Sequence, residues 1–182
     1  MTWMRHLPHD PIARHLRRAG AHGWLLCLAL LALPAAALER PAGPVILTVS
    51  GNILHTNAPG AAEFDLAMLR ELGGRSFRTA TIWTEGVSLY EGVLLQSVLD
   101  TVGAEGDTVT ATALNDYSVS FPMAEVGEKA PILAYLRDGA PMSVRDKGPL
   151  WVIYPYDDDA AYRTEQVFSR SVWQLNRLRI ED

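Results

Sequence analysis

A change of hydrophobic period along the chain limits its fold most. In "APGAAEFDLAMLRELGG", Phe64, Met68 and Leu72 recur every four residues, with Leu69 beside them. In "TEGVSLYEGVLLQSVLDTVGA", Leu94, Leu95, Val98, Leu99 and Val102 fall on one helical face. Each segment runs into glycine, at Gly73-Gly74 and at Gly103, where a helix ends readily. The spacing predicts two short helices, with Asp65 in the first turn of one and Ser88 as the N-cap of the other. Gly92 lowers the helical propensity of the second. "VILTVSG" and "SFRTATIW" read as extended. From Thr108 onward extended pieces dominate: "TVTATAL", "YSVSF", "LWVIYPY" and "SVWQLNRLRIE", with "PILAYL" as a strand or helical turn and Asp138-Gly139 as a turn. Helices early and strands late predict an α+β fold with a mostly antiparallel or mixed β-sheet and short helices. The Leu94–Val102 face is expected to cover one side of the late-chain sheet. Val109, Ala111, Val119, Phe121, Val152 and Tyr154 are expected to point inward, and Trp83 and Trp173 to be core rings with only an edge exposed.

The first 37 residues are expected to stand apart as a secretory signal peptide. Arg5, Arg14, Arg17 and Arg18 open it against Asp10 alone, "WLLCLALLAL" follows, and Pro34 with Ala35–Ala37 offers a cleavage point. The apolar run is short for a span of about 20 residues, although the long basic opening leaves an uncleaved anchor as the alternative. Residues 38–182 are then a single periplasmic domain, with no repeat and no linker long enough to divide it. That part has 12 Lys and Arg against 20 Asp and Glu, a net charge of −8. Such a surface repels phosphate backbones and argues against a nucleic-acid partner. Its composition also removes several chemistries. The one cysteine, Cys27, is in the leader, as are four of the five histidines. No thiolate nucleophile, thiolate metal ligand or iron–sulfur site can form beyond residue 37. His55 alone supports neither a histidine metal site nor a Ser-His-Asp triad and reads as a surface or structural residue.

The order of the pieces carries a resemblance. Trp83 and "EGVSLYEGVLLQSVLDTVGA" precede "ALNDYSVSFP", then "ILAYLRDGAPM", "DKGPLWVIYP" and "VWQLNRLRI". Over Thr79 to Ile180 this resembles the molybdopterin-binding catalytic domain of the sulfite oxidase family. It is more similar still to small secreted bacterial proteins that carry that domain alone. The resemblance implies a sulfite-oxidase-like molybdopterin-binding fold and a cleft framed by the stretch from Trp83 to Trp173. It also implies a molybdenum-binding cysteine in the segment that here reads "RSFRTATIWTEG", which has none. Trp151 stands where the cofactor-binding form usually has an arginine.

The stretch "LND" between two strand runs is good turn sequence, since Asn and Asp tolerate left-handed dihedrals and accept from backbone amides. The resemblance places the same hairpin, Asn115, Asp116 and Tyr117, at the border of the pterin cleft. Arg145 and Lys147, flanking Asp146 beside glycine, are either a solvated loop or holders of a phosphate or sulfate. Arg78 is a further basic candidate at the rim. Tyr154 and Tyr156 line a pocket or pack beneath Asp157–Asp159, whose consecutive carboxylates lack the alternation of an EF-hand loop.

Together these readings predict a non-catalytic periplasmic binding, accessory or sensory protein. The cofactor-binding positions are Arg78, Asn115, Asp116, Tyr117, Arg145 and Lys147. No catalytic or metal-ligating residue is expected, and no cofactor; molybdopterin is the group the resemblance would bring. The partners are a small anion or pterin-like ligand and a membrane sensor or redox partner. The alternative is a molybdopterin-dependent oxidoreductase with Ser76, Thr79 or Thr81 in place of the thiolate. A hydrolase using Asp116 and a second carboxylate has no spacing to support it.

Overall fold

The computed structural model describes residues 38–182. The expected signal peptide, with its apolar run and its cleavage point after Ala37, lies outside the described residues. Among the described residues no helix is long and apolar enough to cross a membrane.

The chain runs β1 (Leu47–Gly51), β2 (Ala61–Phe64), α1 (Leu66–Glu71), β3 (Gly74–Thr81), β4 (Thr84–Leu94), α2 (Leu95–Val102), β5 (Thr108–Ala113), β6 (Ser118–Pro122), β7 (Ile132–Arg137), β8 (Ala140–Pro141), β9 (Leu150–Ile153), α3 (Glu165–Arg170) and β10 (Trp173–Glu181). The strands form one open mixed sheet in the order β2-β1-β10-β9-β7-β4-β3, with β5 also pairing β10 and carrying β6. The β1–β10 ladder is parallel and the other ladders are antiparallel. The architecture is thus α+β with a mixed sheet and few, short helices, as the hydrophobic patterning predicts.

β10 is the branching strand. β9 pairs its start, β1 pairs its end, and β5 runs along most of its length. Its sequence shows why it can serve two groups of strands. Leu178 and Ile180 are buried in strict alternation, while Arg177 and Arg179 point out. Leu175 is buried out of that phase, and the register shifts between Leu175 and Arg177. One extra residue restores an inward leucine and bends the strand.

Two helix expectations are corrected. Phe64 does not belong to a helix; it ends β2, opposite Leu47. Asp65 is the N-cap of a helix of six residues, with Oδ1 accepting from Met68 N at 2.9 Å and Oδ2 from Gly43 N at 2.7 Å. Ser88 is not a helix cap. It lies within an eleven-residue strand, β4, whose inward positions are Ser88, Tyr90 and Gly92. Those residues hid the two-residue period because two of the three are not apolar. Gly92 is there for close approach: a Cβ on it would lie 2.2 Å from the carbonyl oxygen of Leu133 on β7. The helix starts only at Leu95, with Leu94 as N-cap and no side-chain cap. Its buried face holds Leu95, Val98, Leu99 and Val102 as expected, whereas Leu94, expected on the same face, ends β4 partly buried; Gly103 ends the helix in the left-handed region at φ 60°. Val109, Ala111, Phe121, Val152 and Tyr154 are buried, and Val119 is partly buried.

Candidate functional site

Four segments meet around a cleft of about 370 Å³. The β3–β4 hairpin contributes Trp83, the β5–β6 turn Asn115 and Tyr117, α3 and its exit Phe168, Ser169 and Ser171, and the start of β10 Val172 and Trp173. Each is held by local chemistry. The Trp83 turn is tied by a hydroxyl pair, Thr81 to Thr84 at 2.7 Å, and by Trp83 N donating to the Thr81 hydroxyl. In the β5–β6 turn, Asp116 takes φ 65° and its N–H donates to Ala113 O, while Asn115 Oδ1 accepts from Tyr117 N. The turn reading of "LND" therefore holds. The Tyr117 hydroxyl reaches across the cleft mouth to donate to Ser169 O at 3.0 Å.

α3 is capped by the Thr164 hydroxyl accepting from Val167 N. It is anchored by Arg170, a buried guanidinium that pairs with Glu125 and lies over the Phe121 ring. That pair holds the Glu125 carboxyl below its ordinary value. At the start of β10, Gln174 adopts φ 55° and makes three bonds to two loops: its N–H donates to Lys147 O, its carbonyl accepts from Leu114 N, and its side-chain amide donates to Val144 O.

The walls are aromatic. Trp83 meets Trp151, Tyr156, Phe168 and Trp173 with ring centres 5.9, 6.3, 5.8 and 5.7 Å away, all edge-on. Trp151 and Trp173 are direct cross-strand partners. The Lys147 ammonium lies over both, 5.5 and 4.7 Å from the ring centres. Trp173 departs from the expected core position and is 36% exposed, because the cleft opens beside it. Tyr154 and Tyr156 are buried instead of lining the cleft, and burial pushes both phenols well above their ordinary value. The Tyr156 hydroxyl hydrogen-bonds the Ser171 hydroxyl at 2.6 Å.

Of the six candidate binding residues, Asn115 and Tyr117 line the cleft, and Lys147, outside the lining, lies over the ring of Trp173. Asp116 turns outward to Arg177 at 2.5 Å. Arg78 is exposed on β3 opposite Leu89, and Arg145 is exposed in the turn Val144–Asp146; neither lines the cleft. Sequence reasoning missed Phe168, Ser169, Ser171 and Val172. "TEQVF" carries a helix-start signal at Thr164, but nothing local states that this helix faces the β5–β6 turn.

No family model matches the sequence, and no curated protein matches it. Among solved structures, the sulfane dehydrogenase SoxCD from Paracoccus pantotrophus is similar, with a TM-score of 0.57 and 19% identity. The alignment covers 80% of this chain and 40% of that one. The fold is that of a sulfite-oxidase-like molybdopterin-binding domain. The chain spans about 40% of the length of the SoxCD chain it matches.

The residues that this fold places around the cleft do not suit a molybdopterin. Residues 38–182 offer no thiolate, and no group of three His, Cys, Asp or Glu among the described residues could hold a metal ion. Two of the three hydroxyls that could replace a thiolate are otherwise engaged, and the third is outside the cleft lining. Thr79 is buried, donates to Ala80 O and accepts from Asp157 N, and Thr81 is bonded to Thr84. Ser76 is exposed on β3. Trp151, at the position where the resemblance expects an arginine, is fully buried, and its indole N–H donates to Ser171 O at 3.1 Å. A buried indole supplies no charge-assisted partner for a phosphate at that position. Asp157 and Asp159 are likewise engaged, accepting from the backbone N–H groups of Ala80 and Ala161.

Proposed function

We propose that this chain is a non-catalytic binding protein of the periplasm, an accessory or sensory component built on an oxidoreductase-type molybdopterin-binding fold. One observation carries the reading: the cleft is walled by Trp83, Phe168 and Trp173, with no thiolate to bind a metal and with Trp151 where a cation is expected. A site of that composition binds and orients a ligand but offers no group to activate one. Asn115 and Tyr117 are its polar lining, and Lys147 lies over its Trp173 wall. Arg78, Asp116 and Arg145 belong to the outer surface that a membrane partner would meet. The basic, apolar and small-residue order of the leader supports export.

Elemental analysis of the protein from a molybdenum-replete host tests the central point. Molybdenum is expected well below stoichiometry. Molybdenum near one equivalent together with bound pterin overturns the reading in favour of an oxidoreductase with a non-cysteine ligand. N-terminal sequencing of the exported form is expected to start near Leu38. Retention of Trp24–Leu33 in a membrane fraction would show an anchor.

A further inference from the structure

The cleft's own chemistry selects a ligand class, an inference that rests on the binding reading above. Phe168 and Trp173 stand at 87° and 68° to Trp83. Rings set nearly perpendicular to a third offer a planar guest both a face and an edge, the two arrangements aromatic pairs favour. A volume of about 370 Å³ is at the small end of ligand pockets and suits one ring or a fused pair.

The polar lining is sparse and largely engaged. The Tyr117 hydroxyl serves Ser169 O, the Ser171 hydroxyl serves Val167 O and Tyr156, and Asn115 Oδ1 serves Tyr117 N. A guest with many hydrogen-bonding edges, such as a pterin, would leave them unpaired at a cost. Two of the lining side chains, Tyr117 and Trp173, are large and exposed. Exposed aromatic surface at a concave site marks a place that receives an apolar body.

No charged side chain lines the cleft. The ammonium of Lys147 is held against its Trp173 wall, and it makes no ion pair among the described residues. A lysine seated on two indoles and in no ion pair among the described residues is free to receive an anion. We propose that the cleft binds a small aromatic acid, its ring among Trp83, Phe168 and Trp173 and its anionic group at Lys147.

Calorimetric and tryptophan-fluorescence titration of the exported chain tests this with indoleacetate and benzoate, beside indole, tetramethylammonium and sulfate. The acids are expected to bind one to one, and indole about tenfold more weakly, the scale of one charge-assisted hydrogen bond. Tetramethylammonium and sulfate are expected not to bind. Lys147→Gln should weaken indoleacetate about tenfold and leave indole unchanged. Phe168→Leu, which keeps an apolar side chain on α3, should weaken both. The proposal is overturned if neither acid binds, if indole and indoleacetate bind equally, if the quaternary cation binds instead, or if Lys147→Gln changes nothing. Sulfate binding without acid binding would sink the aromatic acid and leave a binding protein; stoichiometric molybdenum would sink the binding reading itself.

Discussion

Replacing Trp83 by alanine removes the ring around which the cleft is built. Trp83 makes four edge-on ring contacts, at 5.7 to 6.3 Å. At about 0.5–1.5 kcal/mol per pair these contribute about 2–6 kcal/mol. Truncation of a core tryptophan costs about 3–5 kcal/mol by the independent route of lost transfer and cavity terms. Trp83 is only partly buried, so the lower end applies, about 3 kcal/mol. For a chain of this size each kcal/mol lowers the melting temperature by about 2–4 °C, giving a fall of about 6–12 °C. Trp173 supplies the comparison. It has one ring contact, to Trp83, besides the Lys147 ammonium, and is 36% exposed. Its alanine variant should lose only about 1 kcal/mol. Urea unfolding of both variants, followed by far-UV circular dichroism, measures the difference, and near-UV circular dichroism should show Trp83→Ala flattening the aromatic signal far more. Equal losses in the two variants, or a Trp83→Ala loss below about 1 kcal/mol, would refute the claim that one ring supports the other four.

Three further outcomes are expected. Leu95→Ala, at a fully buried position on α2, should cost about 2–5 kcal/mol, read as a lower unfolding midpoint. Gly92→Ala should destabilise by about 1–3 kcal/mol or more, because its Cβ would meet β7 backbone at 2.2 Å; thermal melts decide it. Acid should destabilise the fold through Asp65, Glu125 and Asp138. Their carboxyls are held below ordinary values of 3.8, 4.5 and 3.8 by the Met68 and Gly43 N–H groups, by Arg170 and by the Leu89 N–H. The unfolded chain binds the more protons, so this stability is present above those ordinary values and is lost as pH falls through the lower folded ones. Denaturation midpoints across that acid range should fall for the wild type and fall less for Asp65→Asn.

Much of the fold was legible because it was written in local apolar spacing. The α2 face, the inward residues of β5 and β6 and the late-chain strands all follow from side-chain period, which acts over a few residues. The failures were local as well. The β4 strand escaped notice because its inward residues include Ser88 and Gly92, whose burial depends on β3 and β7 lying on either side. Phe64 matched a helical period by coincidence, and pairing with β1 overrode it. At the site, "LND" announced its turn through backbone preferences. The place of that turn opposite α3, about fifty residues later in sequence, did not show.

The sequence by itself determined the chemistry this domain lacks. With no cysteine after residue 37 and one histidine there, no arrangement of residues 38–182 can supply a thiolate or a histidine cluster. Composition settles such exclusions without reference to shape. Tertiary structure decided the rest of the site. It gathered Trp83, Phe168 and Trp173 from three separate elements, set Lys147 on Trp173, and turned Asp116 and Arg145 outward. Ring faces, angles and the pairing of charges depend on distances across the fold, and those arise only when the branching of β10 brings the loops of β5, β9 and α3 to one end of the sheet.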